Sequence, residues 1–119
     1  MRALVCRAWG DIDSLEVSEL PPPKVGPSQI LFDVVATSAN FADSIMVAGR
    51  YQTKPDFPFA PGLEAAGRIT MVGEDVKTFQ PGDAVMATLS HGGFAEQAVA
   101  RVDDTWHLFD GMSFADGAA

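Results

Sequence analysis

Turn chemistry constrains this chain more tightly than any other feature. Pro21-Pro22-Pro23, Gly26-Pro27-Ser28, Pro61-Gly62, Gln80-Pro81-Gly82-Asp83 and His91-Gly92-Gly93 follow one another at short intervals. Proline fixes φ and offers no N–H to a ladder, and glycine supplies the positive φ of tight turns, so each stretch ends an element. The pieces between them are strand-length and predict strands over 2–8, 15–20, 30–36, 63–72, 84–89, 94–102 and 106–109. Gly73-Glu74-Asp75 reads as a hairpin tip with 76–79 as its return, and His91-Gly92-Gly93 as the turn after which 94–102 returns. One segment differs. Asn40 is a good N-cap, Asp43 falls at N3 where its charge suits the helix dipole, and Ala42, Ile45, Met46 and Ala48 give a short amphipathic helix that Gly49 stops. Many short strands with one short helix predict a mainly β fold, a barrel or a sandwich.

At 119 residues the chain is long enough for one domain with a core of its own. The net charge of −8 argues against nucleic acid, whose phosphates call for Lys and Arg, and against an anionic membrane surface. No apolar run approaches the length of a membrane span, and the first residues, MRALVCRAWGD, lack the apolar core of a signal peptide. Cys6 is the only cysteine, so no internal disulfide forms; a reducing compartment is expected, and the cytoplasm is the predicted location.

The familiar catalytic motifs are absent. No Gly-x-Gly-x-x-Gly or Gly-x-Ser-x-Gly occurs, and Gly62 to Gly67 has the glycine spacing of a phosphate loop but continues with Arg68-Ile69, not Lys-Ser or Lys-Thr. Cys6, His91 and His107 are scattered and read as structural or solvated residues, not as a zinc set. Glu64 stands out: a carboxylate between a Pro-Gly turn and small apolar residues must be exposed or paired, with Arg50 and Arg68 as candidate partners. Near the end, Ser113 reads as an N-cap with Asp116 three residues on, and a helix is expected to begin there.

Taken in order, Asn40-x-x-Asp43, Gly49-Arg50-Tyr51, Pro58-x-x-Pro61-Gly62-x-Glu64-x-x-Gly67, Phe79-x-Pro81-Gly82-Asp83-x-Val85 and Gly92-Gly93-Phe94-Ala95-Glu96 resemble the medium-chain dehydrogenase/reductase superfamily, and within it the zinc-free quinone oxidoreductases, the zeta-crystallin-like enzymes. The resemblance covers nearly the whole chain. It implies a GroES-like β-barrel over residues 1–112, the catalytic domain, and residues 113–119 as the start of a helix leading to a Rossmann domain that lies beyond this sequence. That domain would bind most of an NADPH cofactor and carry a homodimer contact, and residues 1–119 alone are expected to be inactive. Zinc-dependent relatives have a Cys near the position of Asn40 and Gly-His-Glu where this chain has Gly62-Leu63-Glu64. Leucine cannot ligate a metal, so the implied reaction is hydride transfer to a small quinone or activated enone without zinc.

The resemblance also implies site residues. Asn40, Asp43 and Tyr51 would be catalytic: Tyr51 donating a hydrogen bond to the acceptor carbonyl, Asn40 orienting the acceptor or the nicotinamide carboxamide. Phe41 and Ile45 would contact the cofactor, although the family often has Tyr where Ile45 stands. From the residues alone, Asn40 and Asp43 read equally as a helix cap and Tyr51 as an ordinary loop aromatic, while Phe57-Pro58-Phe59 reads as core or as a lid. Two other functions fit the same motifs: an enoyl-thioester reductase of the superfamily, and a GroES-like binding module without catalysis.

Overall fold

The structure, a computed structural model, describes residues 1–119. Two short strands, β1 (Arg2–Val5) and β2 (Glu16–Glu19), form an antiparallel ribbon. The main sheet comprises β3 (Gln29–Thr37), β4 (Glu64–Val72), β5 (Ala84–Thr88), β6 (Gln97–Arg101) and β7 (Thr105–His107), antiparallel throughout in the order β6-β3-β4-β5-β7. Two helices complete the fold, α1 (Phe41–Val47) and α2 (Phe114–Gly117). The expected mainly β architecture with one short helix between β3 and β4 is what the chain adopts.

Alternation along the strands builds the core. Ile30, Phe32, Ala65, Ile69, Val85, Ala87, Ala98 and Ala100 pack together on the inner face. Their neighbours on the other face are mixed: Leu31 and Ala66 are buried as well, and Asp33 is polar. Asp33 is exposed, faces Arg68 on one side and accepts from Gln97 Nε2 at 3.0 Å on the other. The pairing of β3 with β4 shifts twice, between Leu31 and Phe32 and between Val34 and Ala36. Such irregularities bend a strand, and here they help to curl the sheet into a half-barrel. The ribbon closes over it: Leu4 N–H donates to Phe94 O at 2.8 Å, Glu96 N–H to Arg2 O at 3.1 Å, and Cys6 and Phe59 exchange backbone bonds of 2.7 and 3.1 Å.

Two expected returns are not formed. Residues 76–79 make no strand; Val76 and Phe79, three apart, drop side chains onto the core, while the Gly73–Asp75 tip bonds to the 26–29 turn through Gly73 N–H to Gln29 O and Asp75 N–H to Pro27 O. On the side away from β3, β4 pairs with β5. Nor does 94–102 fold back along β5. Gly92 N–H donates to Ala60 O, Gly93 N–H to Gly62 O and Phe94 N–H to Pro61 O, 94–96 is taken up by β1, and β6 then pairs with β3. Both errors share a cause: local alternation says nothing about which strand a segment will find.

The tightest point of the sheet is Gly67, where an added Cβ would lie 1.8 Å from the Asp33 carbonyl oxygen. The obstacle is β3 backbone, which cannot yield as a flexible side chain would. Gly67→Ala is expected to destabilise the domain by about 3 kcal/mol, as overpacking does in a close-packed interior, read as a lowered denaturation midpoint. Gly10→Ala, whose Cβ would meet only Ser14 Oγ at 3.7 Å, is the control and should stay within about 0.5 kcal/mol.

Candidate active site

β3 ends at Thr37 and releases Ser38, Ala39 and Asn40 into the start of α1. Asn40 is extended, as an N-cap should be, with φ −122° and ψ 157°. Asp43 reaches back one turn: its Oδ2 accepts the Asn40 N–H at 2.8 Å. Its Oδ1 accepts the Gly62 N–H at 3.1 Å, and the side chain is only 5% exposed. A carboxylate so placed satisfies two backbone donors, one an orphan of the helix start. Gly62 lies at φ +111°, and a Cβ there would come within 2.7 Å of Gly93 Cα and Phe94 N, so the two chains cross backbone on backbone. Asp43 thus pins α1 to this crossing.

Beside the pin, Glu64 opens β4. Its carbonyl accepts from Thr37 Oγ1 at 2.7 Å and from Ser38 N–H at 3.3 Å. Its half-buried side chain turns to Ser38, whose Oγ donates to Oε2 at 2.8 Å, and Asn40 Nδ2 lies 3.5 Å from the same oxygen. Neither expected arginine partner is found: no ion pair joins Glu64 to Arg50 or to Arg68. Arg68 is four residues along the strand, about 13 Å away; it donates to Gly82 O and lies over the Phe114 ring. Leu63, next to Glu64, packs instead against the apolar cluster of Cys6, Met46, Val47 and Phe59.

The structure therefore brings Asn40, Asp43 and Glu64 together and adds Ser38, which sequence reasoning passed over; its only signal is a hydroxyl two residues before the N-cap. Phe41 is 80% exposed beside Asn40, and Ile45 is half-buried on α1. Tyr51 is half-buried against the Cys6 cluster, beyond the other end of a helix about 10 Å long, and no hydrogen bond joins it to Asn40. Phe59 is core, whereas Phe57 is 42% exposed, stacks with Phe59 and meets Trp9 edge to face. A cleft of about 830 Å³ reaches the same crossing from Lys54, Phe59, Ala60, Thr88, His91 and Gly92, without including Asn40, Asp43 or Tyr51.

Burial lowers the His91 pKa below 6.5 and raises that of the Cys6 thiol, which stays a core group bonded to Ala8 O. His91 takes Ser90 Oγ at 3.1 Å and sets its ring edge to Phe59, and His107 stacks on Phe79 and bonds Thr78 O, so both histidines have structural contacts.

Two outcomes follow for the domain itself. Asp43→Asn must turn an amide donor toward a backbone N–H, and it should cost about 1–3 kcal/mol, the penalty for a buried unsatisfied donor, seen as a lowered Tm. For His91 the unfolded chain takes up a proton first as pH falls, so its contribution is complete above 6.5 and is lost as pH falls through the lowered folded value. His91→Gln should therefore lose less stability than the parent between about pH 7 and about pH 5, measured by urea titration at each pH.

The Alcohol dehydrogenase GroES-like domain family matches residues 26–110. Quinone oxidoreductase-like protein 2 of Rattus norvegicus is 34% identical over 117 residues, covering 98% of this chain and 33% of that protein. Quinone oxidoreductase of Lama guanicoe is 36% identical over 121 residues, covering 100% and 37%. Among solved structures, human synaptic vesicle membrane protein VAT-1 homolog-like protein superposes with a TM-score of 0.92 at 30% identity, covering 99% of this chain and 38% of that one. The Escherichia coli quinone oxidoreductase complexed with NADPH gives 0.91 at 27% identity, covering 100% and 36%. The chain spans about a third of the length of these relatives. With its half-barrel, its Pro61-Gly62-x-Glu64 crossing and its Asn40-x-x-Asp43 cap in place, the chain belongs to the GroES-like domain family of the medium-chain dehydrogenase/reductase superfamily, among its quinone oxidoreductase-like members.

Proposed function

We propose that the whole protein is an NADPH-dependent, zinc-independent cytoplasmic reductase acting on a quinone or activated enone, and that residues 1–112 are its acceptor-side domain. The observation that carries this is the match, along the entire chain, to a quinone oxidoreductase and to another in complex with NADPH. Residues 113–119 would lead to a nucleotide-binding domain that holds most of the cofactor. The local chemistry fits a nicotinamide: an exposed apolar ring, Phe41, sits next to an amide, Asn40, as a ring with a carboxamide would require.

When bound, NADPH supplies a hydride. The chain's own residues then have three tasks. The acceptor oxygen gains negative charge, and a donor preorganised toward it lowers the barrier; Tyr51, half-buried against the Cys6 cluster, is assigned as that donor. Asn40 orients a polar group in the separate cleft that this domain would form with the nucleotide-binding domain. Asp43, with both oxygens taken by backbone, holds the helix that carries Asn40 and does not touch the acceptor. Leu63 supports the zinc-independent reading because its side chain is apolar and turned to the core where zinc-dependent relatives carry a histidine.

In the full-length protein, Tyr51→Phe and Asn40→Ala should each lower kcat/KM for a quinone by about tenfold or more, the usual weight of one transition-state hydrogen bond. Unchanged kcat/KM in both variants removes the assigned roles. Stoichiometric zinc in the active purified protein, bound at this domain, would end the zinc-independent assignment.

A further inference from the structure

We infer that Glu64, acting with Ser38, decides which end of the Asn40 amide faces the cleft, so that Asn40 presents its carbonyl oxygen there as an acceptor. This rests on the proposal above that Asn40 lines the cleft. The Glu64 carboxylate is half-buried, and none of the chain's ion pairs involves it. An ionised carboxylate only accepts hydrogen bonds. Ser38 Oγ spends its one proton on Glu64 Oε2 at 2.8 Å, so toward Asn40 the hydroxyl has only lone pairs to offer. Asn40 Nδ2 lies 3.5 Å from Ser38 Oγ and 3.5 Å from Glu64 Oε2.

Both neighbours on that side are therefore acceptors. The amide NH2 has one hydrogen for each, whereas an inverted amide would set Oδ1 against a carboxylate. Oδ1 is left on the other side, facing the Asp43 N–H of the capping box, and its second lone pair stays open at an exposed residue. The carboxylate is itself held in place, since the Glu64 carbonyl is fixed by Thr37 Oγ1 and Ser38 N–H. Glu64 is thus a positioning residue. The consequence for chemistry is specific: Asn40 cannot donate to a developing negative charge, and instead accepts from an N–H or O–H, such as that of a carboxamide. Donation to the acceptor oxygen falls to another group.

The test uses the full-length protein, with Glu64→Ala, Glu64→Gln, Asn40→Ala and the double variant Glu64→Ala/Asn40→Ala. The first readout is the Asn40 side-chain NH2 pair in the NMR spectrum of 15N-labelled, cofactor-free protein. In Glu64→Ala the pair should move toward the position and mobility of a free amide, and Glu64→Gln, which can still accept through Oε1, should largely restore it. The second is kcat/KM. Glu64→Ala should lower it by about tenfold in the parent and by less than about twofold in the Asn40→Ala background, because a residue acting through another is silent once that partner is gone. An unmoved NH2 pair in Glu64→Ala overturns the inference. So does an undiminished loss of kcat/KM in the Asn40→Ala background, which would mark Glu64 as a general structural residue. If the NH2 pair responds but Asn40→Ala leaves kcat/KM unchanged, the amide orientation stands and the placement of Asn40 in the cleft falls.

Discussion

The arrangement around the site depends on one buried carboxylate. Asp43 accepts the N–H of Asn40 and the N–H of Gly62, and through Gly62 it fixes the helix to a crossing that also holds Gly93 and Phe94. Charge-assisted bonds to backbone are among the stronger polar contacts, worth about 1.5–3 kcal/mol each, and both oxygens are used. Asparagine would offer one acceptor where two are needed, and glutamate's longer arm would overshoot a partner one helical turn away. The crossing itself tolerates only glycine, because backbone lies within 3 Å of where a Cβ would stand. Helix, β4 entrance and β6 approach are therefore set by two residues whose chemistry leaves no substitute.

That constraint separates two carboxylates that look alike in sequence. Asp43 is buried with both oxygens saturated by backbone, so it builds the site without facing it. Glu64 is half-buried and bonded to side chains that end at an exposed amide. The first is a structural pin whose partners are peptide groups; the second transmits its orientation to a group on the surface. Net charge sharpens the difference. With no cation beside it, Glu64 is a source of negative potential at the open end of the β3–β4 pair, which favours donors and disfavours anions there.

Much of this was legible in the residues, and the limits of what was legible have physical causes. Turn chemistry and alternation located every strand that formed, because those signals are local. They failed for 76–79, where two apolar residues three apart pack from a loop, and for the partner of 94–102, because pairing is decided by where Gly92 and Gly93 cross Pro61 and Gly62, some thirty residues earlier in the chain. The cap of α1 was readable since Asn40 and Asp43 are neighbours in sequence. The partner of Glu64 was not: Ser38 lies 26 residues away and meets it only through the register that places Thr37 opposite Ala65. Charge complementarity pointed to arginine, but strand geometry sends Arg68 to the middle of β4, about 13 Å from Glu64.

Pro61 to Gly67 shows why a motif can persist while its chemistry changes. Pro61, Gly62 and Gly67 answer to backbone: Gly62 to the crossing and to Asp43, Gly67 to the Asp33 carbonyl 1.8 Å from its missing Cβ. Glu64 answers to Ser38 and Asn40. Leu63 alone answers to nothing but the apolar cluster, and any side chain of its size that prefers Met46 and Phe59 to water satisfies that demand. The position where zinc-dependent relatives hold histidine is thus the one position in the stretch that the fold leaves free. A hydrophobe there disturbs neither the pin nor the crossing, and Glu64 keeps its bonds to Ser38 and Asn40.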